Sequence, residues 1–403
     1  MLAIVAPGQG AQTPGFLKPW IADSSAAAGQ AGSFAAGLGW LSAVSGLDLV
    51  HYGTEADADT IRDTAVAQPL LVAAGLLAFE QLLGRAGTDP QAVRDLVGVA
   101  AGHSVGELTT AAAVGVLNAE QAMVLVRERG RAMAEAAAVT PTSMTAVIAG
   151  RPDEVLAKIA EHGLTAANNN GRGQIVAAGT TEQLQALAAD PPARARLIEL
   201  SVAGAFHTDH MAPAVQHLQR LADAVTAGSP RTRLLSNYDG QQVADGPDAL
   251  RRIVRQVSSP VRWDLCMDTL AELGVTGLLE LPPAGTLTGI AKRNLKGVDL
   301  FALNTPDQLD EAAAFVAEHA GQLVAAPAPG RFVRADGVGV GTVLPQHGAV
   351  GAVTQLHDEI PVDAPAHGTV VEWLVEDGAT VAPEQSLLRL QPAVEADDTE
   401  ATS

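Results

Sequence analysis

The chain has 403 residues, a formal net charge of −20 and one cysteine, Cys266; 47% of the residues are hydrophobic and only 3% aromatic. That length exceeds what one core holds and points to a large body with smaller domains, while the acidic balance argues against a nucleic-acid partner, which needs a basic surface. One cysteine excludes an internal disulfide and a multi-cysteine metal site; with no run of roughly 18 apolar residues and no signal-peptide pattern, no membrane span and a cytoplasmic location are expected.

Residues 2–6 read as a buried strand that runs into Pro7-Gly8-Gln9-Gly10-Ala11-Gln12. A glycine-bracketed loop at a strand end offers backbone N–H groups above the sheet, but this one lacks the Gly-Lys-Ser/Thr ending of a phosphate loop. Residues 68–83 have helical apolar spacing. The apolar run 96–100 leads into Ala101-Gly102-His103-Ser104-Val105-Gly106-Glu107, and residues 108–117 read as helix. Strand, sharp turn and helix around Gly-x-Ser-x-Gly is the setting of a nucleophile elbow, so Ser104 is the candidate nucleophile. Asn118-Ala119-Glu120-Gln121 is a capping signal for a helix carrying Arg127, Arg129 and Arg131. Residues two apart point about 200° away from one another on a helix, so the three arginines cannot share one face.

From residue 143 to 201 the rhythm becomes strand (143–148), helix (152–162), strand (164–168), strand (174–178), helix (181–189), strand (196–200). This βαββαβ order is that of a ferredoxin-like unit, inserted into the body and bordering a cleft. Helices are expected at about 212–226, 247–257 and 264–273, a strand at 277–281, a helix from Thr286 and a last helix at 306–319. Ala325-Ala326-Pro327-Ala328-Pro329-Gly330 reads as linker. The domain expectation is an α/β core over 1–138 and 205–320, the inserted subdomain over 139–204, a linker over 321–330, an all-β domain over 331–392 and a disordered acidic tail over 393–403.

The stretch from Ile360 to Val371 and on through Glu376-Asp377-Gly378-Ala379-Thr380-Val381 resembles the half-barrel repeat of biotinyl/lipoyl carrier domains. Those domains hold an acceptor lysine at a hairpin tip. Here that place falls at His357, and the chain has no lysine after Lys296.

Seven motifs, taken in order, resemble the malonyl-CoA:acyl-carrier-protein transacylases over residues 1 to about 320. They are the Pro7–Gln12 loop, Gln68-Pro69, Gly102-His103-Ser104-Val105-Gly106-Glu107, Arg129-Gly130, Gly173-Gln174-Ile175-Val176, Ala205-Phe206-His207-Thr208 and Pro260-Val261-Arg262-Trp263. The resemblance implies a hydrolase-like core with a parallel sheet. It implies a Ser104 that is acylated, with His207 as its base, held by the backbone carbonyl of Gln256. The backbone N–H groups of Gln9 and Val105 would form the oxyanion hole. Arg129 would pair with the free malonyl carboxylate through a fork that lysine cannot reproduce. Phe206 would exclude an α-branched acyl group. His103 reads as a packed, hydrogen-bonded histidine, and Asn168, Asn170, Gln174 and Asn237 as candidate cleft-lining residues. Pro282-Pro283-Ala284-Gly285 departs from the usual Gly-Pro-Gly at that place.

The implied partners are malonyl-CoA and holo acyl carrier protein, with no metal and no cofactor, in fatty-acid or polyketide synthesis. Carrier proteins are acidic, so docking needs a local basic patch; Lys292, Arg293 and Lys296, with Arg172, are its candidates. Three other readings stay open. They are a malonate-decarboxylase-type transferase, a serine esterase or thioesterase, and a carrier or assembly module resting on the C-terminal barrel.

Overall fold

The computed structural model describes residues 1–22, 33–87, 96–355 and 358–392. It contains two compact units, Leu2–Val316 and the chain from Ala317 onward.

The first unit is built on a five-stranded sheet. Its strands are β1 (Leu2–Ala6), β2 (Val97–Gly102), β7 (Arg233–Leu235), β9 (Gly277–Glu280) and β10 (Asp299–Ala302), in the order β10-β9-β1-β2-β7. All four pairings are parallel. Every residue of β1 and β2 is buried, as the unbroken apolar runs require of a sheet covered on both faces. The register sets Ala6 against Gly102, so the loop after β1 and the turn after β2 leave the sheet side by side. The carboxyl ends of parallel strands are where such sheets hold ligands.

Helix Thr64–Ala86 is long and apolar enough to cross a membrane by length and composition. Its buried face includes Leu70, Leu71, Val72 and Phe79, packed in the core of this unit. The helix Ala119–Ala137 opens with the expected capping box of Asn118 and Gln121. The Pro-Pro-Ala-Gly stretch is followed by helix Thr286–Asn294. Buried Glu280 caps that helix, accepting the N–H groups of Gly285, Leu287 and Thr288 at 2.8–2.9 Å.

The inserted segment has strands β3 (Thr142–Ala149), β4 (Thr165–Asn169), β5 (Gln174–Thr180) and β6 (Ala195–Glu199), with helices Pro152–Glu161 and Thr181–Ala189. The order β6-β3-β5-β4, antiparallel throughout, is the ferredoxin-like one. A fifth strand, β8 (Val261–Arg262), joins parallel to β4 from the body. Two residues carry no readable periodicity, so this tie was not legible in advance. One face of the inserted sheet packs Val147, Ile159, Ile175 and Leu187. The other, through Met144, Ala146 and Val176, shares a core with Met133, Ala137 and Phe206 of the body.

Among the described residues, the second unit is all-β beyond its first few. One four-stranded sheet runs Gln322–Ala325, Ser386–Pro392, Gly368–Trp373, Val343–Leu344; the other runs Asp358–Asp363, Ala349–Gln355, Gly330–Arg334, Thr380–Val381. The pairings are antiparallel. An apolar core drawn from both sheets includes Phe332, Val353, Val370 and Leu388. The stretch expected as linker is corrected in part. Gln322–Ala325 pairs with the strand Ser386–Pro392, and Ala326 is buried, its N–H donating to Gln385 O. Leu323 and Val324 supply the strand that the neighbouring Ala-Pro composition masks. The tail 393–403 and His357 lie outside the described residues.

Candidate active site

The turn after β2 is held by two close approaches. A Cβ on Gly102 would sit 2.0 Å from the Gly106 carbonyl carbon, and one on Gly106 would sit 2.3 Å from Ala6 O. Only glycine lets strand, turn and helix Gly106–Ala113 close to this distance. Ser104, between them, has φ 52°. A non-glycine residue in the left-handed region costs of order 1–3 kcal/mol and persists only where its surroundings hold it. They do: Ser104 N–H donates to Asn237 Oδ1 at 2.7 Å, and a buried amide left unpaired costs about as much as that strain.

Ser104 Oγ is 2.8 Å from His207 Nε2. The other ring nitrogen, Nδ1, is 2.9 Å from the backbone carbonyl of Gln256. A carbonyl only accepts, so Nδ1 carries the proton and Nε2 presents a lone pair to the serine hydroxyl. Burial, and then the charge of Arg129, push His207 down to about 3. The ring is neutral at physiological pH, as a base must be.

Arg129 is the one buried member of its arginine trio. Its Nη1 donates to Gln68 Oε1 at 2.7 Å, and its Nη2 to Gln256 Oε1 at 3.1 Å and Ser104 Oγ at 3.3 Å. Burial lowers it to about 10, so it stays charged. Arg127 and Arg131 pair at the surface with Glu128. The geometry therefore gathers a hydroxyl, a neutral imidazole and a buried cation around one point.

Gln9 anchors the loop after β1. Its Nε2 reaches Arg62 O at 3.2 Å and Thr64 Oγ1 at 3.4 Å. Val105 is the N-cap of helix Gly106–Ala113 and makes no side-chain cap bond; the N–H groups of Gly106, Glu107 and Leu108 bond the carbonyls of His103, Ser104 and Val105. A groove of about 770 Å³ runs between segment 59–64 of the body and segment 199–203 beside the inserted sheet. Phe206 is buried in the core that the two share.

The four candidate lining residues separate. Gln174 is partly exposed and accepts from Arg293. Asn168 is partly exposed, and its Oδ1 has no partner among the described residues. Asn170 and Asn237 are both buried. Asn170 Oδ1 lies 3.0 Å from His103 Nε2. His103 packs edge-on to Trp263 and is lowered to about 4 by burial. Asn237 lies beneath the serine, bonded to the elbow on both sides, because its own amide must satisfy buried backbone groups there.

Sequence reasoning missed Gln68 and Glu107 as site residues. Gln68 holds Arg129, and Glu107, buried beside Asn237, accepts its N–H at 2.7 Å. Burial raises Glu107 to about 7. Gln68 is a polar residue inside an otherwise apolar helical run, a signal that was available; Glu107 stands in the first turn of its helix, where an acidic residue is ordinary. Among the described residues no group of histidine, cysteine and carboxylate side chains could hold a metal ion.

The acyl transferase domain family matches residues 4–320. The malonyl CoA-acyl carrier protein transacylase of Mycobacterium tuberculosis is 48% identical over 316 residues, 78% of this chain and 99% of that protein. A crystal structure of the M. tuberculosis enzyme superposes with a TM-score of 0.72 at 46% identity, covering 78% of this chain and 99% of the other. A malonyl-transacylase in complex with its type II polyketide acyl-carrier protein superposes with a TM-score of 0.69 at 27% identity, again over 78% and 99%.

Proposed function

The chain belongs to the acyl transferase domain family, and from that premise we propose that it moves the malonyl group of malonyl-CoA to the phosphopantetheine thiol of an acyl carrier protein, as its relatives' names describe. The reading adds a malonyl ester on Ser104 as the intermediate. The observation that carries it is the Ser104–His207–Gln256 chain at 2.8 and 2.9 Å with Arg129 beside the hydroxyl.

In the first half-reaction Ser104 Oγ attacks the thioester carbonyl while His207 Nε2 takes the hydroxyl proton. The oxyanion falls to the N–H groups of Gln9 and Val105, near a helix N-terminus whose dipole favours negative charge. The C–S bond breaks, and CoA leaves as a thiol with the proton from His207. In the second, the pantetheine thiol gives His207 its proton and attacks the ester, and Ser104 recovers the proton as its C–O bond breaks. Arg129 receives the malonyl carboxylate. That pairing cancels part of the cationic influence that depresses His207, so the bound substrate makes its own base stronger.

The acceptor, a carrier of fatty-acid or polyketide synthesis, is met at a surface that includes Arg172, Lys292, Arg293 and Lys296. All four are exposed, and Asn294 Oδ1 accepts the Arg172 N–H, joining the two segments. A cytoplasmic location belongs to the same reading, supported by the buried packing of helix Thr64–Ala86.

Intact mass after mixing with malonyl-CoA is the test. One malonyl adduct is expected, absent in Ser104→Ala and discharged by holo-carrier protein faster than by water; an adduct that survives Ser104→Ala, or one lost equally fast without carrier, overturns the assignment. Methylmalonyl-CoA should acylate less, and Phe206→Ser should narrow the gap.

A further inference from the structure

Below Ser104 the buried polar groups converge on one amide. Asn237 Oδ1 accepts two N–H groups, from Ser104 N at 2.7 Å and Gln256 Nε2 at 3.1 Å. Its Nδ2 donates to Gly102 O at 2.6 Å, its backbone N–H donates to Glu107 Oε1 at 2.7 Å, and its carbonyl accepts the N–H of Arg262 in β8 at 2.8 Å. Asn237 is fully buried, so none of these groups has water to fall back on.

The direction of each bond is fixed by chemistry. Arg129 only donates, so the Gln256 oxygen faces it and the Gln256 NH₂ faces Asn237. Ser104 N–H only donates as well. Asn237 must therefore turn its oxygen to both, and its NH₂ is left for Gly102 O, which can only accept.

We propose that Asn237 is a positioning residue for the acyl transfer, the joint that registers the nucleophile against its base; the inference rests on the function argued above. The nucleophile's turn comes from β2, and the base is held by Gln256 at the end of helix Gly246–Gln256. These segments are far apart in the chain, and one oxygen atom on the loop after β7 takes a hydrogen bond from each. Arg129 touches this joint through Gln256 Oε1 at 3.1 Å but has a second, shorter hold through Gln68 at 2.7 Å. Loss of the joint should therefore move Ser104 and His207 relative to each other and leave carboxylate recognition in place. A misplacement of about 1 Å at a reacting group costs about 10²-fold in rate.

Single-turnover acylation of the full chain, followed by intact mass, tests this. For Asn237→Ala the limiting rate with malonyl-CoA should fall about 10–100-fold, with the half-saturating concentration unchanged and the acetyl-CoA rate falling by the same factor. Parent-like acylation, or a loss confined to the half-saturating concentration, overturns the inference. Absence of any adduct in the parent overturns the functional reading instead, so the two failures are distinct.

If Asn237→Ala does not fold, Asn237→Asp decides. A protonated aspartic acid keeps both polarities, donating to Gly102 O and accepting from Ser104 and Gln256. An ionised one sets an anion against that carbonyl and beside Glu107 and the Cys266 thiol. The rate of Asn237→Asp relative to the parent at the same pH should rise as pH falls from 8 to 6. A constant ratio, or one that rises with pH, overturns the inference.

Discussion

The two units bury polar groups in opposite ways. In the first, Gln68, Glu107, Arg129, His207, Asn237 and Gln256 are all withdrawn from solvent and bonded into one network at the strand ends. In the second, the buried polar side chains among the described residues are His319 and Arg389, and the core is otherwise Val, Leu, Ala and Phe. Burying polar groups costs stability unless each is paired. A fold that does so repeatedly at one point does so for chemistry.

The largest effect that would sharpen this contrast is at Arg129. A carboxylate drawn into the site must be paired, and breaking a buried pair costs about 3–5 kcal/mol, roughly 10²–10³-fold in rate or affinity. Arg129→Ala should lose malonyl transfer by about that factor and keep acetyl transfer. Arg129→Lys should recover only part, because a point charge cannot make the fork. Equal loss of both acyl transfers by a folded Arg129→Ala protein would make the arginine structural and dissolve the contrast.

Much of this network was legible before the structure. The glycines flanking Ser104, the alternation of Arg127, Arg129 and Arg131 and the βαββαβ rhythm each follow from local rules. What was hidden depends on three-dimensional neighbours. Asn237 follows a three-residue strand and looks like a loop residue at a cleft; only the packed elbow shows it is surrounded. Glu107 reads as an ordinary acidic residue in a first helical turn until burial is known. The strand Gln322–Ala325 has its partner more than 60 residues away, near the end of the described chain.

The network should also titrate. Glu107 is raised from 4.5 to about 7, so its protonated form stabilises the fold. That contribution is complete below about 4.5 and is lost as pH rises towards 7, by about 1.4 kcal/mol for each pH unit. His207 and His103 are lowered and act in the opposite sense, losing stability as pH falls below 6.5. Comparing Glu107→Gln with the parent cancels the histidines. The variant should gain relative stability in denaturant melts between pH 5 and 7 and gain no more above pH 7. A pH-independent difference would mean the carboxyl is not held as the contrast requires.

A smaller effect is expected at the surface of the first unit. Reversing the charge at Lys292, Arg293 and Lys296 should raise the half-saturating concentration of holo-carrier protein about tenfold at low salt, the lower end of what steering supplies, and much less at 0.5 M salt. The value for malonyl-CoA should stay put. Equal changes for both substrates would trace the effect to the site and not to docking.

The smallest effect is the sharpest test of the contrast, because it predicts almost nothing. Relatives that align over residues up to about 320 have 99% of their own length covered, so the first unit has the extent of a whole enzyme of this family. The named side chains of the polar network lie at or before Gln256, and its further contacts, to Arg262 and Cys266, stay within the first unit. A chain ending at Ala325 would keep Leu323 and Val324 and lose their partner strand Ser386–Pro392. That leaves an unpaired apolar edge, which invites aggregation. Ending at Ala320 avoids it. Sites that share no partners act additively, so the shortened chain should keep kcat/KM for malonyl transfer within about twofold of the parent. A folded, monodisperse protein ending at Ala320 with a much lower kcat/KM would mean that the second unit acts on the chemistry through something other than buried polar groups. If the loss fell on the carrier protein and spared malonyl-CoA, that action would be on acceptor docking.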